Sequence, residues 1–238
     1  MTPLGLPHVH LRTADSTNER AKELARAGAP HGSLVTADEQ RAGRGRQGRT
    51  WSARPGTAVL MSLIVRGLDE RHSMLPLSAA VAVCEAAESC APVSCAIKWP
   101  NDVWIDGRKL AGILVEGRPQ EGWAVIGAGI NVTSAPHDFS PELRETATSL
   151  AIASPGEEQP SRRSVLGALL EALEARLAQG PERILAEWRG RDALRGSRIA
   201  WSGGEGTAAG VDDTGALLVE TEAGQLRLDA GEVHLRRR

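Results

Sequence analysis

Residues 43–51 have the sequence GRGRQGRTW, and this stretch carries most of the information about the fold and its ligand. Its three glycines leave the backbone free to approach a ligand closely. Its three arginines, Arg44, Arg46 and Arg49, offer forked donors to a phosphate or a carboxylate. Trp51 presents a face on which a planar base can stack. The stretch therefore predicts a loop over an anionic ligand that carries a flat ring, although its composition is equally typical of a solvated, flexible loop.

The same stretch contains the spacing Gly-x-Gly-x-x-Gly, which also occurs in dinucleotide-binding loops. A loop of that kind opens directly into a helix and holds phosphates mainly through backbone amides. Here Pro55 and Gly56 follow soon after, and arginine side chains supply the donors. We therefore disfavour a dinucleotide-binding fold. The Walker A pattern of P-loop proteins is absent from the sequence, so any ATP must be bound in another way.

The composition predicts an ordinary globular protein. The chain has 238 residues, of which 41% are hydrophobic and 24% charged, and its net charge is -2. A substantial core can form, and the near-neutral charge argues against general nucleic-acid coating. The three cysteines show no CxxC spacing, and we see no signal peptide and no apolar membrane span. These features favour reduced thiols and a cytoplasmic protein.

Hydrophobic patterns predict a larger α+β domain, residues 1–194, and a small β domain, residues 195–238. In the larger domain we expect a helix that begins at the capping-box sequence of residues 16–19, and an Asp106-Gly107 hairpin turn. Strands are predicted over 33–37, 57–65, 95–99, 103–105, 110–116 and 123–130, and helices over 76–89, 166–177 and 181–191. Residues 151–160 are predicted to be a loop. After Leu194, glycine-rich turns separate short strand candidates, as in a small β-barrel.

Three further motifs have both a structural and a functional interpretation. Residues 98–102, KWPND, combine a cation, an aromatic ring, an amide and a carboxylate around one turn. Residues 109–116, KLAGILVE, place Lys109 at the start of a strand and Gly112 inside it. Residues 127–131, GAGIN, end on Asn131. Taken singly, each motif is more typical of a turn, a solvated lysine or a bulge than of a ligand site.

Taken in order, residues 16–18, STN, and the four motifs closely resemble those of the biotin protein ligases over residues 14–132. The lipoate ligases share the fold but lack this arginine loop, and Gln47 stands where the family often has arginine. The resemblance implies an α+β fold with a mixed β-sheet flanked by helices, as in class II aminoacyl-tRNA synthetases, and a C-terminal SH3-like β-barrel. It also implies the monofunctional type, because only fifteen residues precede Ser16 and leave no room for an N-terminal DNA-binding domain.

The resemblance implies a reaction in two steps. The carboxylate of biotin attacks the α-phosphate of ATP, whose phosphates hold Mg²⁺, and gives biotinoyl-5′-AMP and pyrophosphate. A lysine of a biotin carboxyl carrier domain then takes the biotin and releases AMP. Preorganised cations stabilise the charge that gathers at the phosphorus, so the arginines and Lys109 suit this chemistry on physical grounds as well. We expect no DNA or membrane partner, and a monomer or homodimer.

The matching positions imply a set of site residues. Biotin is expected to contact Ser16, Thr17, Asn18, Gln40, Arg44, Gly45, Arg46, Lys109 and Gly112. ATP and the adenylate are expected to contact Arg44, Arg46, Arg49, Trp51, Asn101, Lys109 and Asn131. The catalytic roles fall to Lys109, Arg46 and Asp102, with Asp102 close to the incoming lysine, and no protein ligand to a metal is expected. A nucleotide-binding module without turnover and a nucleic-acid-binding protein are the alternatives.

Overall fold

A mixed seven-stranded sheet forms the centre of the part of the chain that a computed structural model describes, residues 3–156, 158–229 and 231–236. Its strands lie in the order β1-β2-β3-β7-β6-β5-β4. Strands β1 and β2 are parallel, and the other neighbouring pairs are antiparallel. The strands are β1 (His8–Ala14), β2 (Leu34–Gln40), β3 (Ala58–Arg66), β4 (Ala96–Lys98), β5 (Asp102–Ile105), β6 (Arg108–Arg118) and β7 (Trp123–Asn131). The predicted strands and the mixed sheet are confirmed.

Helices cover both faces of this sheet. Helix α1 (Thr17–Arg26) packs on one face, where Ile64 of β3 belongs to its apolar cluster. The other face carries α2 (Leu75–Cys90), α4 (Arg162–Leu177) and α5 (Pro181–Arg189). Leu63, which precedes Ile64 in β3, belongs to the main core on that face. Successive strand residues point to opposite faces, so β3 serves both cores. No helix in the described residues is long and apolar enough to cross a membrane.

Two local predictions were wrong. Ser16 does stand at the N-cap of α1, but its side chain makes no capping hydrogen bond. The predicted capping box does not form, because the Glu19 carboxylate instead accepts from Lys22 and Arg44. The predicted loop at 151–160 contains part of a short helix, α3 (Leu150–Ala153), whose first turn is capped by Ser149.

The predicted Asp106-Gly107 turn is confirmed, and it sets the register beside the site. Both residues have positive φ, 49° and 73°, as a tight hairpin turn requires. The turn joins β5 to β6 and places Asp102 opposite Gly112. Lys109 is the second residue of β6 and pairs with Trp104, and its Nζ comes within 2.7 Å of Asp102 Oδ1.

A second, antiparallel sheet forms from the C-terminal residues. It contains β8 (Arg198–Trp201), β9 (Gly204–Val211), β10 (Leu217–Thr221), β11 (Gly224–Leu228) and β12 (His234–Leu235), in the order β11-β10-β9-β8-β12. The predicted small C-terminal β structure is thus confirmed. Within the described residues no pairing joins β11 to β12, so the sheet is open, which is compatible with an SH3-like arrangement.

The C-terminal sheet is held against the turn that follows β4. Trp99 is 2% exposed, and its indole Nε1 donates to the carbonyl of Gly215 at 3.0 Å. Arg189 of α5 donates to the carbonyl of Val211 at 3.0 Å. The first contact fixes Trp99 against the C-terminal sheet, and the second joins α5 to the same sheet.

Asp212 gives a stability test of the C-terminal sheet. Partial burial alone would raise the pKa of Asp212, but hydrogen bonds from Thr214, Arg227 and the backbone outweigh it and hold that pKa far below its usual range. The stabilisation is therefore present above the unfolded pKa, about 3.9, and is lost as the pH falls through the folded value. We expect Asp212→Ala to lower the free energy of unfolding by about 1–2 kcal/mol at pH 7.

Urea titrations at pH 7 and pH 3 would measure this cost, with Glu222→Ala as the control, since that side chain is exposed in the turn between β10 and β11. The difference between wild type and Asp212→Ala should shrink at the lower pH. Equal effects of the two substitutions at pH 7 would contradict the assigned role.

Candidate active site

A cavity opens on the sheet face that carries α1, over the half of that face that α1 leaves uncovered. The N-terminus of α1, the arginine loop at residues 43–51 and strands β5, β6 and β7 surround it. All but one of the predicted site residues line it: Ser16, Thr17, Asn18, Gln40, Arg44, Gly45, Arg46, Arg49, Trp51, Asn101, Asp102, Lys109 and Gly112. The structure therefore brings together residues that are spread over almost a hundred positions of sequence.

Asn131 is the exception. It is 4% exposed at the end of β7, and its Nδ2 donates to the carbonyl of Thr148 at 3.0 Å. The residue is not part of the cavity lining. Its predicted contact with the adenine stays a prediction.

Glycines on β6 and β7 form the floor of the cavity. Gly112 and Gly129 lie opposite each other across the two strands. A Cβ on Gly112 would come within 3.0 Å of the Trp51 ring, and one on Gly129 would come closer still. The indole can lie against the sheet only because both positions lack a side chain. Lys109 also lies close to the indole, with its Nζ 5.7 Å from the ring centroid.

A polar pocket lies beside this floor at the N-terminus of α1. Gln40 Oε1 accepts from the amide of Thr17 at 2.7 Å and lies 3.0 Å from Thr17 Oγ1. The hydroxyl of Ser62 lies 2.8 Å from Thr17 Oγ1 and 2.6 Å from Asn18 Oδ1. Asn18 Nδ2 donates to the carbonyl of Leu114, which fixes the orientation of the amide.

This pocket has more acceptors than donors. Asn18 Oδ1 and Gln40 Oε1 only accept, and the hydroxyls of Thr17 and Ser62 supply one proton each. Two protons cannot serve three oxygen–oxygen contacts. The arrangement favours a ligand that donates N–H groups into the pocket. Ser62 was not predicted, because a single serine inside an apolar strand gives no signal in sequence.

The arginine loop folds back on itself and carries Trp51 at its base. The amide of Gly45 donates to the carbonyl of Arg49 at 2.7 Å, and the amide of Trp51 donates to Gly43 at 2.9 Å. Gln47 has a positive φ of 54° at the tip. Arg46 is half-buried on the cavity side, and desolvation lowers its pKa although Asp102 opposes that effect.

Carboxylates that sequence reasoning missed hold the other two arginines. Arg44 contacts Glu19 of α1 and lies 3.4 Å from Glu116 of β6. Arg49 forms an ion pair with Glu232, which lines the cavity from the C-terminal part of the chain. Glu19 and Glu116 lie within motifs quoted above, but each of these acids meets an arginine from a distant segment, so the sequence could not indicate the ion pairs.

Two lysines face the cavity in different states. Lys109 Nζ lies 2.7 Å from Asp102 Oδ1 in a largely buried pair. Lys98 also lines the cavity and lies over the Trp104 ring, 5.3 Å from its centroid. Desolvation lowers the pKa of Lys98, and the positive charges of Lys109 and Arg49 add to that, against an opposing effect of Asp102. Lys98 belongs to the KWPND motif, although no role was predicted for it.

Within the described residues, no group of three or more His, Cys, Asp or Glu side chains is placed to hold a metal ion. Asp102 and Glu232 are the carboxylates that line the cavity. The site is thus dominated by cations, and it suits an anionic ligand that also has flat and N–H-donating parts.

Comparisons with known proteins agree with this geometry. Residues 10–131 match the biotin/lipoate A/B protein ligase family, and residues 198–236 match the biotin protein ligase C-terminal domain. The chain is 39% identical over 233 residues to the bifunctional ligase/repressor BirA of Bacillus subtilis, a match that covers 92% of this chain and 71% of the relative. It is 36% identical to a biotin–[acetyl-CoA-carboxylase] ligase of Mycobacterium tuberculosis, over 93% of this chain and 86% of the relative.

Solved structures show the same similarity. A biotin protein ligase from Aquifex aeolicus in complex with biotin and ATP superposes with a TM-score of 0.82 at 27% identity, over 97% of this chain and 99% of that one. A Leishmania major biotin protein ligase in complex with biotinyl-5-AMP superposes with a TM-score of 0.68 over 94% of this chain, and its 24% identity supports the fold alone.

Gly127 offers a test of the glycine floor. It lies opposite Ser62 on β3 and Leu114 on β6, and a Cβ there would overlap the buried Asn18 side chain, with Asn18 Cγ only 2.8 Å away. We expect Gly127→Ala to cost about 1–3 kcal/mol of unfolding free energy, because the amide cannot move without breaking its hydrogen bonds.

Chemical denaturation would measure that cost beside Gly167→Ala. Gly167 lies inside α4, and a Cβ there meets no atom within 4 Å. The control should be neutral or stabilising by up to about 1 kcal/mol. Wild-type stability of Gly127→Ala would show that the floor tolerates a side chain.

Proposed function

The chain belongs to the biotin/lipoate A/B protein ligase family, and we propose that it is an ATP-dependent biotin protein ligase whose chemistry takes place in the cavity over the glycine floor. The enzyme activates biotin to biotinoyl-5′-AMP and transfers the biotin to a lysine of a biotin carboxyl carrier domain. The observation that carries the site assignment is the meeting of Lys109, the arginine loop and an acceptor-rich pocket in one cavity.

The acceptor-rich pocket suits the bicyclic head of biotin. A ureido group has two N–H donors and one carbonyl. The oxygens of Thr17, Asn18 and Gln40 would accept the N–H groups, and the N-terminus of α1 lies at the same wall of the cavity. Ser16 and Gly112 line the wall and floor of the same cavity.

The reacting groups fall where the cations converge. With its head in the pocket, biotin would place its carboxylate near Lys109, Arg44 and Arg46. These cations would hold the carboxylate against the α-phosphate of ATP and stabilise the charge that develops as the phosphorus–oxygen bond forms. Lys109 would leave Asp102 for this ligand, since a phosphate competes well for an ammonium group. The freed Asp102 would then lie near the incoming lysine.

Nucleotide recognition is assigned to the other end of the cavity. Trp51 would stack on the adenine side, with Asn101 and Asn131 nearby. Asn101 Nδ2 already donates to the carbonyl of Ile113 at 2.6 Å, so its oxygen is the atom left for the base. Arg49 and Lys98 would meet the outer phosphates. Mg²⁺ would enter with those phosphates and neutralise part of their charge.

The partner follows from the second step. The family acts on biotin acceptor proteins, and the acceptor here is a biotin carboxyl carrier domain. Three further statements stay predictions: the protein binds no DNA, it lies in the cytoplasm, and it is a monomer or homodimer. We also propose the division into residues 1–194 and 195–238, because the connection between α5 and β8 separates the two sheets.

Replacement of Lys109 tests the catalytic assignment. Lys109→Ala should slow biotin-dependent pyrophosphate release by about a hundredfold or more, because a preorganised charge at the transferred phosphoryl group is lost. Arg108→Ala is the matched control, since Arg108 is adjacent and exposed and does not line the cavity. A rate near that of the wild type for Lys109→Ala would refute its role, and a wild-type protein that releases no pyrophosphate would refute the ligase itself.

The pH dependence of ATP binding tests Lys98. A lysine binds phosphate when charged, and burial lowers the pKa of Lys98. ATP should therefore bind at full affinity at neutral pH. As the pH is raised, the affinity should decrease before the ordinary lysine pKa, about 10.4, is reached. In Lys98→Arg the fall should vanish, since arginine stays charged. Calorimetric titration from pH 7 to pH 10 would measure it, and identical profiles would rule out contact between Lys98 and the phosphates.

A further inference from the structure

Glu116 lies where β6, α1 and the arginine loop meet. Its Oε2 accepts from Asn18 Nδ2 at 3.0 Å. Its Oε1 accepts from Lys22 Nζ at 3.0 Å and lies 3.4 Å from Arg44 Nη1. The side chain is only 22% exposed. This one carboxylate thus joins its own strand, β6, to two further elements, α1 and the arginine loop, and none of these contacts involves the cavity floor.

Glu19 completes an alternating cluster of charges. Its Oε1 accepts from Lys22 at 2.7 Å and also from Arg44. Two carboxylates and two cations therefore balance one another at this corner. Arg44 itself is 47% exposed, whereas Lys22 is 12% exposed. The position of the exposed arginine depends on the two carboxylates behind it.

Glu116 also connects to the polar pocket. Asn18 donates to Glu116 with one atom of its amide and accepts from Ser62 with the other. A ligand that donates to Asn18 Oδ1 competes with the Ser62 hydroxyl for that oxygen and acts on the amide whose Nδ2 holds Glu116. A movement of the Asn18 amide therefore changes its hydrogen bond to Glu116. Partial burial would raise the pKa of Glu116, but hydrogen bonds from Asn18 and Lys22 outweigh it and keep the group ionised.

We propose that Glu116 is a positioning residue, which orders the arginine loop through Arg44 and links that order to occupation of the polar pocket through Asn18. It touches no ligand and acts only through these two side chains. The identity of the ligand as biotin rests on the proposed function, whereas the link between pocket and loop does not.

Trypsin cleavage within residues 44–49 measures the order of the loop directly, since three arginines lie there. In the full-length wild type, cleavage should be slow and biotin should slow it further. Glu116→Gln should raise the rate without biotin by about fivefold, the amount expected for loss of a partly exposed ion pair. Biotin should protect this variant less, because the path through Asn18 is weakened.

Two further variants make the test specific. Glu19→Gln removes the other carboxylate that holds Arg44 but does not touch Asn18, so it should raise cleavage while protection by biotin persists. Glu23→Gln is the control, because Glu23 lies on α1 and pairs with Arg20 alone among the described residues. It should behave as the wild type. The biotin KM of Glu116→Gln should rise about fivefold, while kcat at saturating biotin stays close to wild type.

The outcomes separate the two claims. Wild-type cleavage and wild-type protection in Glu116→Gln would overturn the positioning role. Faster cleavage in Glu116→Gln with undiminished protection would overturn the link to the pocket. Altered cleavage and protection in a protein that releases no pyrophosphate would support the positioning role and refute the ligase. If Glu116→Gln fails to fold, Glu19→Gln tests whether the carboxylates that hold Arg44 order the loop. Wild-type cleavage of Glu19→Gln would then overturn that ordering role.

Discussion

The site depends on a patch of the central sheet that has no side chains. Gly112, Gly127 and Gly129 lie together on β6 and β7, on the face that α1 only partly covers. Their absence of Cβ atoms lets the Trp51 ring and the Asn18 amide lie against the backbone. A sheet face normally fills with side chains to form a core. Here the glycines leave the sheet surface free for Trp51 and Asn18, so the backbone of the sheet positions these two side chains.

Charge balance is the second constraint. Four of the five cations that line the cavity within the described residues have an acidic partner or an aromatic ring, and the fifth, Arg46, is influenced by the charge of Asp102. Arg44 has Glu19 and Glu116, Arg49 has Glu232, Lys109 has Asp102, and Lys98 has Trp104. Unpaired like charges packed so closely would repel one another. The carboxylates therefore hold the cations in place until an anionic ligand takes over the contacts of the carboxylates. The site is thus preorganised at little cost in stability.

Much of the fold was predictable because local patterns agreed with the tertiary structure. The strands on either side of Asp106-Gly107 are an example, since turn chemistry and strand periodicity indicate the same hairpin. The site was predictable through ordered motifs that resemble a family. Ser62, Glu19 and Glu116 were not, because their roles exist only after distant strands and α1 meet. The predicted capping box does not form for the same reason, because Arg44, from a distant segment, donates to the Glu19 carboxylate.

The central claim is that the cavity joins the biotin carboxylate to the α-phosphate of ATP. Biotin labelled with ¹⁸O in both carboxylate oxygens would test this most directly, in a reaction with ATP and a biotin carboxyl carrier domain. If the carboxylate attacks the α-phosphorus and the lysine then cleaves the carbon–oxygen bond, the bridging oxygen stays with AMP. Mass spectrometry should find one ¹⁸O in each AMP released. Unlabelled AMP, or label in inorganic phosphate, would contradict the account.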